Sequence, residues 1–452
     1  MQYAGKVELF SKKELCALIL PLILEQILGI TVGMADSIMV SSVGEAAVSG
    51  VSLVDTINIL LINTFTSLAT GGAVVAAHNL GKQKREEAVQ TANQILLCVT
   101  GIAVVIMLIS IIFNRQMLSF IYGGIEKEVM DNAVIYFYLT AMSFPALGVY
   151  SACAALSRAM GNSKVTMNVS ILMNLVNIVG NAIMILWFHM GVYGVATSTL
   201  VSRILGAVIM LIIMINPEKA LHFSKHLWNG FSWNTIKKIM QVGVPTGLDN
   251  CIFQIGKILV QSIIAGLGTT AITANAIVGT VAGIATIPAS AIGTAMITVV
   301  GQSIGAGELK QAKTYVKKLM FWAYGGMLAI NVCIILSSGW IVGWYNVSDI
   351  TADMAMKLII FHSICAVLFW PTGFSLANAM RAAYDAMFTM IISIGSMWIF
   401  RIGCSYVFCL YLDMGLFGVW LAMVVDWVFR SICFLIRMKN GKWMSNLNIK
   451  EN

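Results

Sequence analysis

The chain has 452 residues, 59% of them hydrophobic and only 11% charged, against about 25% charged in a soluble globular domain. That balance excludes a soluble enzyme or binding module and predicts a polytopic membrane protein. The net charge of +8 would suit a nucleic-acid partner, but its distribution along the chain argues against one.

The first fourteen residues, MQYAGKVELFSKKE, are polar, and the apolar run behind them lacks a small-residue cleavage site, so no signal peptide is expected. Residues 15–40 can cross a bilayer as one helix, yet they include Glu25 and Asp36. A carboxylate near the centre of a spanning helix costs about 2.5 to 3.5 kcal/mol even on the lenient insertion scale, so such a residue usually has a functional reason. At 100° per residue the two acids fall within about 20° of one helix face, roughly 16 Å apart along the axis.

Further apolar runs follow at 51–77, 94–113, 133–155, 166–188, 191–215, 239–265, 271–303, 319–342, 355–379, 388–411 and 415–437, which makes twelve spans. An even number places both termini on one side. Of the 28 Lys and Arg, 21 fall in connections on that side, three (Arg115, Lys127 and Lys357) on the other, and four (Arg203, Lys257, Arg401 and Arg430) within spans. By the positive-inside rule both termini are expected in the cytoplasm. The basic balance then reflects topology, not a nucleic acid.

A shift of about 224 residues lays one half of the chain on the other. Pro21 with Glu25 falls on Pro245 with Asp249, Gly44 on Gly268, Gly81 on Gly305, SRAMGNSKVTM on MRAAYDAMFTM, and HMGVYGV on DMGLFGV. Six spans per copy make the repeat parallel, about an axis along the membrane normal. The expected organisation is a six-helix lobe over 1–215, a linker over 216–238 read as an amphipathic interfacial helix, and a second lobe over 239–452.

Several polar residues stand out in the spans. Asn174, Asn177 and Asn181 share one face of the fifth, and Thr199 lies in the sixth. With Asp36 they form a hard oxygen set suited to a proton or Na⁺, although asparagines also knit helices together in lipid. In the seventh span Asn250, Gln254, Lys257 and Gln261 make a polar stripe headed by Asp249, with Lys257 a candidate partner for Asp249. Glu25 and Asp249, each four residues after a proline, either face a central cleft or pair with unseen partners. Asp55 sits near the outer end of the second span, where water can reach it. Asp426 and Arg430, at i and i+4, are expected to pair, and Arg203 and Arg401 to snorkel or to close a gate. The glycines at 71, 72, 279, 283 and 293 read as close helix contacts or bends. The nine cysteines and five histidines show no metal-ligand spacing. The chain has no GxxxxGK[ST], HExxH or GxSxG motif, so neither nucleotide fuelling nor common hydrolase chemistry is supported. A transporter rather than an enzyme is the remaining class.

On these residues the chain resembles the multidrug and toxic compound extrusion (MATE) family over nearly its whole length. The segments that carry the resemblance are Asp36 in the first span, GKQKREEA after the second, SRAMGNSKVT after the fourth, NIVGN in the fifth and MGVYGVATSTLVSR in the sixth. The resemblance implies an all-α fold of two pseudo-symmetric six-helix bundles and a monomer in the plasma membrane. The implied activity is a cofactor-free antiporter, expelling small cationic amphipathic compounds against H⁺ or Na⁺ by alternating access. The family's cation site would fall on Asp36, Asn177, Asn181 and Thr199. Many relatives have a second aspartate where this chain has Asn181, and some an acid in span ten that WPTGFSLANAMRAAYD lacks before Asp385. Substrate contacts are expected among Glu25, Asp249, Asn250, Gln254 and Lys257. The alternative reading is a flippase for a lipid-linked saccharide or a similar amphipathic lipid.

Overall fold

A computed structural model describes residues 8–223 and 232–447. Within them the chain is helical, and no strand is present. Helices are what apolar runs of this length must form, because lipid offers no partner to an open backbone N–H or C=O. The first half comprises α1 (Lys12–Ser41), α2 (Glu45–Gly81), α3 (Arg85–Ile112), the short α4 (Asn114–Tyr122), α5 (Lys127–Met142), α6 (Phe144–Ala159), α7 (Ser163–Ala182) and α8 (Gly191–Ile215). The second comprises α9 (Trp233–Ala265), α10 (Thr269–Ala285), α11 (Ile287–Gly305), α12 (Leu309–Gly343), α13 (Asp349–Trp370), α14 (Leu376–Ala382), α15 (Ala386–Ser396), the short α16 (Cys404–Tyr406) and α17 (Gly415–Lys439).

Eleven described helices are long and apolar enough to cross a membrane, and the pair α5 and α6, bent by 48°, makes a twelfth crossing. The chain is thus a multi-pass membrane protein. Two of the expected spans prove to be interrupted. Span four breaks at Ser143, two residues before Pro145, and span eight breaks at Thr286, two residues before Pro288. In each case proline takes one of the first positions of the new helix, where its missing N–H costs nothing. Wide π-helical turns occur at Ile183–Trp187, Pro371–Ser375, Met397–Gly403 and Val407–Tyr411.

The repeat is written into the backbone. Positive φ occurs at Gly44 and Gly268, Gln83 and Gly307, Gly124 and Asn346, Gly161 and Tyr384, His189 and Asp413, and Gly191 and Gly415. The members of each pair lie 222 to 224 residues apart, and the π turns at Ile183–Trp187 and Val407–Tyr411 obey the same offset. Gln83 and Tyr384 hold a left-handed conformation without being glycine, at a cost that L residues rarely bear. The turn geometry therefore outlived the residue that suits it best.

The chain divides into two compact units, one of Lys12–Gly247 and one of Leu248–Asn452 with Met1–Ser11, so the division falls inside α9. In the first unit α2 packs on α3, α5 and α6, while α7 packs on α1 and α8. In the second, α11 packs on α12 and α14, and α13 on α10, α12 and α17. α11 is the most enclosed, with 78% of its apolar window buried. On α12, by contrast, Phe321 and Leu336 are 76% and 83% exposed, as lipid-facing residues should be. Residues 8–11 join the second unit: Leu9 N–H donates to Gln311 Oε1 at 3.1 Å and Phe10 N–H to Tyr315 Oη at 2.8 Å.

The interfacial helix expected between the halves falls largely on residues outside those described. Residues 216–223 are turns, and Arg85 Nη2 on α3 anchors them by donating to the carbonyls of Pro217 and Lys219 at 2.7 and 3.0 Å.

Candidate functional site

Asp36 sits on α1 and lines a cavity of about 260 Å³ within the first unit. The face of α7 carrying Asn174, Asn177 and Asn181 turns toward it, and α8 supplies Thr199 and, one turn later, Arg203. Close approach of α7 to α8 depends on Gly180, where an added Cβ would lie 2.9 Å from Ser198 Oγ. Asn181 Nδ2 donates to Asp36 Oδ1 at 2.8 Å. With its amide nitrogen turned to the carboxylate, Asn177 donates to both Asp36 oxygens at 2.8 and 3.2 Å and accepts from Thr199 Oγ1 at 3.2 Å. The four residues expected to form one site are thus brought together, and two amides take over the solvation that water would give an ionised carboxylate.

The same cavity includes Asp55, whose position near the outer end of its span suggests only contact with water. α2 places it beside α5, where Tyr136 Oη donates to its Oδ1 at 3.2 Å and Asn58 Nδ2 at 3.4 Å. Arg203 does not snorkel: its Nη1 donates to Ser143 Oγ at 2.8 Å, and among the described residues it forms no ion pair. Two carboxylates and one guanidinium therefore face a common space, with negative charge in excess. The buried Asn181 Oδ1 has no hydrogen-bond partner among the described residues, so it is a spare acceptor beside the acid. Among the described residues no group of three or more His, Cys, Asp or Glu could hold a metal ion. One carboxylate with amide and hydroxyl oxygens suits a proton or a monovalent cation better than a divalent one.

The second unit holds a larger cavity of about 410 Å³, lined by Lys257, Gln261, Asn275, Arg401, Gly279, Gly283 and aromatic side chains from α9, α13 and α17. Asp426 lies buried beneath it. Arg430 Nε donates to Asp426 Oδ1 at 2.8 Å, forming the pair expected from their spacing, and Arg401 Nη1 is 3.9 Å from Asp426 Oδ2. Of the two readings the sequence offers for Gly279 and Gly283, close helix contacts or bends, the first does not hold: an added Cβ at either meets nothing within 4 Å. Gly71, Gly72 and Gly293 do conform, each with backbone or side-chain atoms within 3 Å of an added Cβ.

The remaining candidates are dispersed. Glu25 pairs with Arg158 at 3.6 Å and accepts from Thr166 Oγ1. Asp249 pairs with Arg381 at 2.7 Å, not with Lys257 as its position had suggested. Asp249 and Asn250 line a separate space of about 220 Å³ with Asn378 and Arg381. Lys257 lines the large cavity, and Gln254 lines neither. Glu25 with Arg158 and Asp249 with Arg381 are repeat-equivalent pairs, separated by 133 and 132 residues. A partner for each acid was therefore readable from the aligned segments SRAMG and MRAAY.

A family model described as MatE matches residues 21–183 and again 245–407, two matches 224 residues apart. Among curated relatives, the uncharacterized transporter YisQ of Bacillus subtilis (strain 168) is 25% identical over 431 residues, covering 94% of this chain and 93% of the relative. The probable multidrug resistance protein NorM of Thermotoga maritima is 26% identical over 441 residues, covering 96% and 93%. A solved structure, the outward-facing conformation of a multidrug resistance MATE family transporter of the MOP superfamily, has a TM-score of 0.89 at 20% identity, covering 96% of this chain and 97% of that one, a likeness of fold.

Proposed function

The chain belongs to the MatE family of multidrug efflux transporters, and on that footing we propose that it is a secondary antiporter expelling cationic amphipathic compounds in exchange for H⁺ or Na⁺. The observation that carries this reading is Asp36, held by Asn177 and Asn181 in a cavity with excess negative charge. A single buried charge cannot be neutralised twice, so the driving ion and the cargo compete for it, and each lowers the affinity for the other. From outside, the ion takes Asp36 and the cargo leaves; from inside, the ion is discharged and cargo binds again. Inward movement of one positive charge is favoured by about 2.3 kcal/mol per 100 mV of membrane potential. The 21-to-3 basic asymmetry supports a plasma-membrane orientation with both termini in the cytoplasm, and a monomer suffices for this scheme.

The test is efflux of ethidium from energised vesicles. Asp36→Asn keeps the shape and one acceptor oxygen for the neighbouring amides but removes the charge, so it is expected to abolish gradient-driven export while expression and folding are retained. Unchanged export by this variant overturns the reading. A second reading, transport of an anionic amphipathic lipid, is favoured by Lys257 and Arg401 in the second unit's cavity. Competition by a lipid-linked precursor against dye export separates the two.

A further inference from the structure

We infer that the 410 Å³ cavity of the second unit is a binding site for an amphipathic organic anion, with Lys257 and Arg401 taking the anionic group and the aromatic wall its apolar body. This adds a ligand class to the antiport reading and does not depend on the Asp36 site.

The argument begins with charge. No carboxylate among the described residues lines the cavity. Asp426, 0% exposed, accepts at Oδ1 from Arg430 Nε, which also donates to Ser396 Oγ, each at 2.8 Å, while Arg430 Nη2 donates to the Ser393 carbonyl at 3.0 Å and Arg401 Nη1 stands 3.9 Å from Asp426 Oδ2. Asp249, on the same helix as Lys257, is claimed by Arg381. The lining thus carries Lys257 and Arg401 against no exposed carboxylate, so a cation entering it would meet like charge.

Hydrogen bonding gives the same polarity independently. Arg401 Nε, in a side chain 13% exposed, has no partner among the described residues, and neither has Nε1 of Trp427, a residue only 3% exposed. The amides do not fill the gap: Asn275 Nδ2 donates to Gln261 Oε1, and Asn275 Oδ1 accepts from Trp420 Nε1, each at 3.1 Å. The cavity lining therefore holds two N–H donors without an acceptor, while the one unpartnered acceptor nearby, Asp426 Oδ2, faces Arg401 from a residue that does not line the cavity; buried polar groups are rarely left unpaired.

The rest of the wall suits a flat or lipid-like body. Trp370 and Phe374 stack at 4.9 Å, and His362 stands edge-on to Trp420 and Trp427 at 5.5 and 5.6 Å. Gly279 and Gly283, one turn apart on α10, leave the opposite side open, and the volume lies within the range of drug-sized sites.

The experiment uses the purified full-length chain in nanodiscs of zwitterionic lipid, without any gradient, so its failure leaves the coupled-transport reading to its own test. Three probes are titrated against tryptophan fluorescence: anilinonaphthalene sulfonate as a soluble aromatic anion, a short-chain phosphatidic acid as an anionic headgroup, and ethidium as a cation. At least one anion is expected to bind with an affinity that depends on Lys257, whereas ethidium, held at Asp36, is expected to be insensitive to that residue. Binding of the sulfonate alone identifies a soluble organic anion, and of the phosphatidic acid alone a lipid. Lys257→Gln is expected to weaken the bound anion about tenfold or more, the loss of one charge-assisted contact. Gly283→Leu, which fills the space and keeps every charge, is expected to remove binding. Equal anion affinity in wild type and Lys257→Gln, or anion binding that survives Gly283→Leu unchanged, overturns the proposal.

Discussion

Asp36 and its partners were legible because helical spacing alone lines up Asn174, Asn177 and Asn181, and because a charged residue in a spanning run is costly. Asp55 was not, since its importance arises when α2 packs on α5 and brings Tyr136 to it, a contact across 81 residues of sequence. Lys257 was misassigned for the same reason, because the partner of Asp249 lies 132 residues away on α14. At this scale the sharpest stability test is the buried pair in α17. Removing Arg430 leaves Asp426, at 0% exposure, with only the longer 3.9 Å approach of Arg401, and Arg430→Met is expected to cost up to about 3 to 5 kcal/mol. Thermal unfolding in detergent measures the loss, and the double variant Arg430→Met with Asp426→Leu is expected to regain much of it. Equal destabilisation in both would place the cost in packing instead of charge.

At the scale of elements, all twelve apolar runs became helices because length and hydropathy leave them no other structure in lipid. The interruptions at Ser143 and Thr286 lay within reach of sequence, each signalled by a proline two residues on. The π turns carried no such common signal: Pro371 opens one, but the other three begin without proline. Glycines divided into two kinds that sequence cannot separate, those that admit a neighbour and those that leave a space. Gly71 and Gly72 belong to the first kind and differ in what they meet. A Cβ at Gly71 lies 2.4 Å from the Ile239 carbonyl and 2.8 Å from Gly243 Cα, whereas at Gly72 it meets the Ile95 side chain, which can turn away. Gly71→Ala is therefore expected to lower the melting temperature more than Gly72→Ala, by an amount corresponding to about 1 to 3 kcal/mol. The opposite order would contradict the close helix contact.

For the whole molecule, the repeat was readable from a handful of aligned residues, and the backbone confirms it in six turn pairs where most of the side chains have changed. What the repeat concealed was divergence in chemistry. Position 260, equivalent to Asp36, is Val, and the cavity of the second unit carries lysine and arginine where the first carries aspartates. Backbone geometry is set by local turns and by lipid, so it can persist while the lining of each cavity changes freely. The asymmetry of basic residues predicts that a fluorescent protein fused to the C-terminus glows, since it folds in the cytoplasm, while a periplasm-dependent phosphatase fused there stays inactive. The reverse pattern would overturn the orientation.

The account rests most heavily on Asp36 being shared between driving ion and cargo, and ion flux measures that directly. In sodium-free proteoliposomes with a pH-sensitive dye inside, adding cargo to wild-type protein is expected to release protons in step with cargo uptake; if the ion is Na⁺, the same signal is expected from a sodium dye in pH-clamped vesicles. Asp36→Asn is expected to show neither flux. Cargo-dependent ion movement of wild-type size in that variant would contradict the account.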